Sequence, residues 1–144
     1  MQITKALGMV FRYLRRQRSA YMEPLGLRGN HIRYLMDVCW EPGISQDQLA
    51  QYIGVDKSNV ARQVALLEEQ GYLRREPAKT DKRVMCLYPT EKSLALLPEL
   101  EAAMEQWKQT LIQDLTEQEA EQFAALLAQV CRRAQGEVVD GKAE

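Results

Sequence analysis

The sequence predicts a mainly α fold carrying one small β-hairpin, and three observations lead there. Between residues 45 and 70 two amphipathic segments are separated by a glycine turn at Gly54. Two short β-prone runs, 72–76 and 84–88, follow at once around the polar stretch Pro77-Ala78-Lys79-Thr80-Asp81-Lys82. Apolar residues at helical spacing then flank this unit on both sides. Helix, tight turn, helix, hairpin is the order of a winged helix-turn-helix, a shape suited to placing one helix in the DNA major groove and a loop beside it.

Each element has its own signal. Ile3, Leu7, Val10, Phe11 and Leu14 recur at helical spacing, so a first helix runs to about Met22, where Pro24 and Gly26 break it. A second helix covers about 30–40 and stops at Glu41-Pro42-Gly43. Ser45-Gln46-Asp47-Gln48 has the form of a capping box, opening a short helix with Leu49, Ala50 and Ile53 inward. Asp56 can cap the next helix, whose inner face carries Val60, Val64 and Leu67 until Gly71 ends it. After the hairpin, Thr90 caps a long helix marked by Leu97, Leu100, Met104, Trp107 and Leu111. Thr116-Glu117-Gln118-Glu119 opens a last helix with Phe123, Leu126, Leu127 and Val130 on one face, and the stretch after Gly136 reads as frayed. The division expected is 1–29 as an N-terminal dimerisation helix, 30–89 as the winged helix-turn-helix lobe, and 90–144 as C-terminal dimerisation helices, all in one intertwined domain.

At 144 residues and 46% apolar content the chain can bury a core, and no apolar run approaches the roughly 20 residues needed to cross a bilayer. With no signal-peptide hydrophobic block at its start, it reads as a cytoplasmic protein without a membrane partner. Three widely spaced cysteines (Cys39, Cys86, Cys131) and a single histidine argue against a metal site, and no cofactor is implied. There is no Gly-rich phosphate loop, nucleophile motif or paired carboxylate site, so an enzyme is not expected.

The net charge of −1 conceals a strong segregation. Residues 1–33 carry seven Lys/Arg against one acid, and 34–56 carry four acids and no base. Residues 57–83 carry seven bases and four acids, and 91–144 carry five bases and eleven acids. A basic centre beside an acidic tail leaves a local field that attracts phosphate.

Lys57, Ser58, Asn59, Ala61, Arg62 and Gln63 occupy the non-apolar positions of the second motif helix, and Ser45 and Gln46 stand at the start of the first. Arginine can reach guanine edges and Asn or Gln adenine edges. Solvated helix faces are polar too, but this one carries no acid until Glu68. On the hairpin, Arg75, Lys79, Thr80, Lys82 and Arg83 are the remaining DNA candidates. Asp81, an acid at a phosphate-facing tip, is expected to be structural, fixing a nearby arginine through a charge-assisted bond.

Residues 56–93, DKSNVARQVALLEEQGYLRREPAKTDKRVMCLYPTEKS, resemble the core of the MarR family of transcriptional regulators. Arg62 falls at that family's recognition-helix arginine. Residues 67–73 (LEEQGYL) fit its helix-ending pattern, Asp81-Lys82-Arg83 its wing D-x-R motif, and Thr90-Glu91-Lys92 the start of its long dimer helix. Pro89 and Ser93 stand where the family usually has leucine and glycine. The resemblance implies a homodimer on a pseudo-palindrome of double-stranded DNA, usually a repressor, released in many members by small aromatic or anionic compounds.

Dimer contacts are expected from Ile3, Leu7, Leu100, Met104, Trp107, Leu111, Phe123, Leu127 and Val130, with the basic N-terminal and acidic C-terminal segments favouring association. An aromatic effector site is expected to gather Tyr13, Arg16, Tyr21, His31, Tyr34 and Trp40, with Met9 and Met36 nearby. Two alternatives stand beside this reading: a redox-sensing regulator of the same fold, and a winged-helix protein-interaction module that does not bind DNA.

Overall fold

The computed structural model describes residues 1–140, with side chains described through residue 136. Its elements in order are α1 (Ile3–Met22), a 3-10 turn (Glu23–Leu25), α2 (His31–Trp40), β1 (Ile44–Ser45), α3 (Gln46–Ile53), α4 (Lys57–Glu69), β2 (Leu73–Pro77), β3 (Met85–Pro89), α5 (Glu91–Ile112) and α6 (Glu117–Asp140). The backbone of α6 therefore continues past Gly136 to Asp140. The rest of the stretch expected to fray lies outside the described residues.

Caps define the lobe. Gln48 N–H donates to Ser45 Oγ and Ser45 N–H donates to Gln48 Oε1, both at 3.0 Å, completing the capping box of α3. Asn59 N–H donates to Asp56 Oδ1 at 2.8 Å, which caps α4. Between the two helices Gly54 adopts φ +79°, a left-handed conformation that any side chain would strain.

The hairpin begins and ends one residue later than the sequence predicts. Tyr72 is spent closing α4, its N–H bonding Leu67 O at 2.9 Å behind Gly71 at φ +80°. Val84 belongs to the wing turn, its N–H bonding Asp81 O and its carbonyl accepting from Ala78 N–H. A third strand, β1, pairs antiparallel with β3 (Ile44↔Leu87, Ser45↔Cys86), giving sheet order β1-β3-β2. Two residues are too short for a periodic signal, so β1 was not legible in the sequence.

The chain forms two compact units, Met1–Met104 and Glu105–Glu144. In the first, Met22, Leu35, Val38, Leu49, Val60, Val64, Leu67 and Leu87 are fully buried beside Ile32, Tyr34, Ile44 and Leu100. The division falls inside α5, and α1 lies in the same unit as the winged-helix lobe. Pro98 lies within α5. Its missing N–H leaves Leu94 O without the usual helix donor, yet the helix continues on both sides.

In the second unit α6 opens with the expected box: Glu119 N–H donates to Thr116 Oγ1 at 3.2 Å and Thr116 N–H to Glu119 Oε2 at 2.9 Å. Its apolar residues Phe123, Leu126 and Val130 are exposed and Leu127 is half-buried.

Candidate nucleic-acid interface

The inner stripe of α4, Val60, Val64 and Leu67, is held in the core with no exposure, and that packing fixes which residues face out. Lys57, Ser58 and Arg62 are exposed, and Asn59 and Ala61 half-buried. The exposed groups are not equally available. Lys57 pairs with Asp47 at 3.2 Å, and Ser58 Oγ donates to the capping Asp56 at 2.6 Å. Those bonds hold the Asp56 carboxyl below the usual carboxylate range: first Ser58, then the Asn59 N–H, with the Arg62 charge adding to them. Arg62 forms no ion pair among the described residues.

Gln63 lies inward and not on the outward face that the sequence pattern predicts: it is only 7% exposed and its Oε1 lies 2.6 Å from His31 Nε2. Its position is three residues after Val60 and one before Val64, so it shares the buried stripe. A buried amide needs partners, and His31 supplies one.

On the wing, Asp81 does what the acid was expected to do. Its carboxylate accepts the Arg83 backbone N–H at 3.0 Å and the guanidinium at 3.1 and 3.2 Å. These bonds hold Asp81 below the usual carboxylate range. The Arg83 side chain is 92% exposed, so its guanidinium is oriented while still open to solvent.

Arg75 is paired within the lobe. Glu68 accepts its backbone N–H at 3.1 Å and its guanidinium at 3.1 and 2.9 Å, which ties the arginine to the root of the wing. Arg74 pairs with Glu76 and stacks over Tyr88 at 5.0 Å from the ring centre. Lys79, Thr80 and Lys82 are exposed, and neither lysine is ion-paired among the described residues. Ser45 is engaged in its cap. Gln46 is half-buried, and its Oε1 has no protein partner where it lines a recess of about 70 Å³ shared with Arg83.

The six expected effector residues do not line one described cleft. His31 and Tyr34 are buried in the core, their rings meeting edge-on at 6.1 Å. Trp40 is exposed and donates to Glu101 Oε1 at 3.0 Å. None of Tyr13, Arg16, Tyr21, His31, Tyr34 or Trp40 lines a cleft of about 650 Å³ in the first unit. Phe11, Arg15 and Arg18 of α1 line it, with Arg28, Arg33 and the apolar Ile32, Ile53 and Val55. Arg33 is neutralised by Asp37 at 2.6 Å, whereas Arg15, Arg18 and Arg28 form no ion pair among the described residues. Burial lowers the pKa of Arg18. Spacing carries a signal for this basic face, because Phe11, Arg15 and Arg18 follow steps of four and three.

Ser93 also gains a meaning. Thr90 N–H donates to Ser93 Oγ at 3.0 Å while Ser93 N–H reaches Thr90 Oγ1 at 3.4 Å, a reciprocal cap at the head of α5. Thr90 Oγ1 donates in turn to Gly71 O at 2.6 Å, joining the start of α5 to the end of α4. Burial pushes up the Cys39 thiol, against a hydrogen bond from Ser93 and with the charge of Glu101 adding to it. That is the opposite of what an oxidation-sensing thiolate needs.

A recognition helix set by its buried stripe, with a basic three-stranded wing beside it, defines a winged-helix DNA-binding transcriptional regulator. The comparisons give the family. A model described as MarR family matches residues 25–84. Over 128 residues the chain is 32% identical to the uncharacterized HTH-type transcriptional regulator YybA of Bacillus subtilis, covering 89% of this chain and 85% of that protein. The crystal structure of the transcriptional regulator SlyA superposes with TM-score 0.90 at 30% identity, over 95% of this chain and 96% of that one. A MarR-family regulator from Listeria monocytogenes, solved with a 26-mer DNA, has the same fold (TM-score 0.92, 24% identity, 99% and 95% covered). The chain belongs to the MarR family of transcriptional regulators, which are not enzymes. Among the described residues no helix is long and apolar enough to cross a membrane.

Proposed function

We propose that this regulator binds a pseudo-palindromic operator as a homodimer and represses by occupying it. The observation that carries the reading is the α4 face with Asn59 and Arg62 outward, beside an Arg83 held open to solvent by Asp81. One such surface neutralises few phosphates. Two related by a twofold axis contact half-sites about one helical turn apart. The same fold in complex with a 26-mer DNA in the Listeria protein supports a DNA-binding use.

Dimerisation accounts for apolar side chains that each unit leaves in water. On α1, Ile3 is 75% and Phe11 58% exposed, with Leu7 and Val10 beside them. In the second unit Leu111, Leu115, Phe123, Leu126 and Val130 are exposed. An apolar surface of this extent marks an association site. The arginine-lined cleft supports release by a small anionic compound with an apolar body, its charge meeting Arg15, Arg18 and Arg28 and its body Phe11 and Ile53.

A gel shift with the DNA upstream of the protein's own gene tests the reading. Arg62, Lys79, Lys82 and Arg83 from two subunits make about eight phosphate contacts, so log K against log salt should fall with a slope of about −7. A slope near zero, or no preference for that DNA over a scrambled duplex, refutes it.

A further inference from the structure

The buried polar residues behind α4 form a chain of fixed direction. Arg28 N–H donates to His31 Nδ1 at 3.0 Å. A backbone amide can only donate, so Nδ1 is the acceptor nitrogen and the ring's proton sits on Nε2. That Nε2–H lies 2.6 Å from Gln63 Oε1, so the glutamine oxygen must face the histidine and its NH₂ must face away. Gln63 Nε2 then donates to Asn59 Oδ1 at 3.4 Å. His31 and Gln63 are both buried, so water does not scramble the order.

The consequence falls on Asn59, at the edge of the exposed face of α4. With its oxygen engaged by Gln63, its NH₂ is the half turned outward. An asparagine free to choose pairs bidentately with adenine, accepting from N6 while donating to N7. Here one lone pair of that oxygen already accepts from Gln63 and the oxygen is drawn inward, which biases the outward edge towards donation. We propose that His31 and Gln63 are positioning residues that turn the NH₂ of Asn59 towards the base, favouring edges rich in acceptors, guanine N7/O6 or thymine O4, against cytosine. The inference rests on the DNA-binding reading above and adds a rule for the base read.

The lock can be inverted. In Gln63→Glu both carboxylate oxygens accept, so the group behind Asn59 no longer offers a donor and the asparagine turns its NH₂ inward and its oxygen out. Against an operator library randomised one position at a time, with preferences scored within each protein, the wild type should favour guanine or thymine at one position per half-site by about tenfold. Asn59→Ala should lose that preference, and Gln63→Glu should move it towards cytosine or adenine. His31→Leu, which removes the anchoring Nε2–H, should relax it, whereas His31→Gln, which can still donate, should retain it. A merely structural role would weaken all sequences together and leave the order of bases intact.

Thermal melting confirms that each variant is folded. If His31→Leu fails to fold, Gln63→Glu decides. If the wild type binds no duplex with preference, the DNA-binding reading and this inference both fall. If it does bind, but Asn59→Ala changes no position, or Gln63→Glu keeps the wild-type order, this inference alone is overturned.

Discussion

Asp81 is an acid on the surface proposed to meet phosphate, and its removal should lower specificity while raising background binding. An arginine side chain loses up to about 2 kcal/mol of rotamer entropy on being fixed. An exposed ion pair supplies at most about 1 kcal/mol towards that cost. Arg83, with its side chain 92% exposed, receives from Asp81 one bond to its backbone and two to its guanidinium. Asp81→Asn keeps an acceptor for the backbone N–H but loses the charge and the second oxygen. The guanidinium must then be ordered by DNA alone, a loss of about fivefold in specific affinity per wing and about thirtyfold where two wings bind together.

Deleting a negative charge meanwhile strengthens attraction to any duplex. Fluorescence anisotropy with operator and scrambled DNA should therefore show their affinity ratio falling by up to about thirtyfold, with the scrambled duplex bound more tightly than before. Equal strengthening of both, with the ratio unchanged, would refute the role given to Asp81. The sign of the pH effect follows from the depressed Asp81 pKa: its contribution is present above the usual carboxylate range and lost only as pH falls through the lower folded value.

Three further outcomes are expected. His31 is the single histidine, and burial, with the Arg28 charge adding, lowers its pKa against the raising effect of the Gln63 bond. The unfolded chain therefore takes up a proton that the folded one refuses, so melting temperature should be flat above pH of about 7.5 and decline through about 6.5, an inflection absent in His31→Gln. Ser93→Ala removes the acceptor of Thr90 N–H from a fully buried site and should cost about 1–2 kcal/mol in urea unfolding, with m unchanged. At Gly29 an added Cβ would sit 2.8–3.2 Å from Ser19 Oγ, N and Cα, so Gly29→Ala must push α1 away from α2. That should destabilise the protein by about 1–3 kcal/mol by calorimetry, while Gly26→Ala, with nothing within 4 Å of its Cβ, should cost only its left-handed strain.

What the sequence made legible was local. The caps at Ser45, Asp56, Thr90 and Thr116 are written in neighbouring residues, and each is found with its bonds. The Asp81–Arg83 pair is equally local. Misreadings arose where distant contacts decide. Gln63 sits next to Arg62, but which of the two faces outward depends on α2 delivering His31 behind it. Arg75 looks like any wing arginine until α4 brings Glu68 beneath it. Tyr34 and Trp40, six residues apart on one helix, end one in the core and one in solvent, and neither lines the arginine cleft. Aromatic content reports what can pack, whereas pocket formation depends on what surrounding elements leave unfilled.

Charge counting fails for the same reason. Residues 57–83 carry seven bases, which suggests seven cations for the DNA. Four of them are already answered by carboxylates: Lys57 by Asp47, Arg74 by Glu76, Arg75 by Glu68 and Arg83 by Asp81. Those pairs differ in kind. Arg74 and Arg75 lie along the strand that leads into the wing, where Arg75 fastens it to the end of α4. The Arg83 pair leaves its guanidinium open, so orientation is gained without loss of the charge. Arg62, Lys79 and Lys82 remain without an ion pair among the described residues, at the middle of α4 and at the wing tip. The acids in this segment therefore do not simply cancel its field: by anchoring the arginines nearest the sheet, they concentrate unbalanced positive charge at the two places proposed to enter a groove.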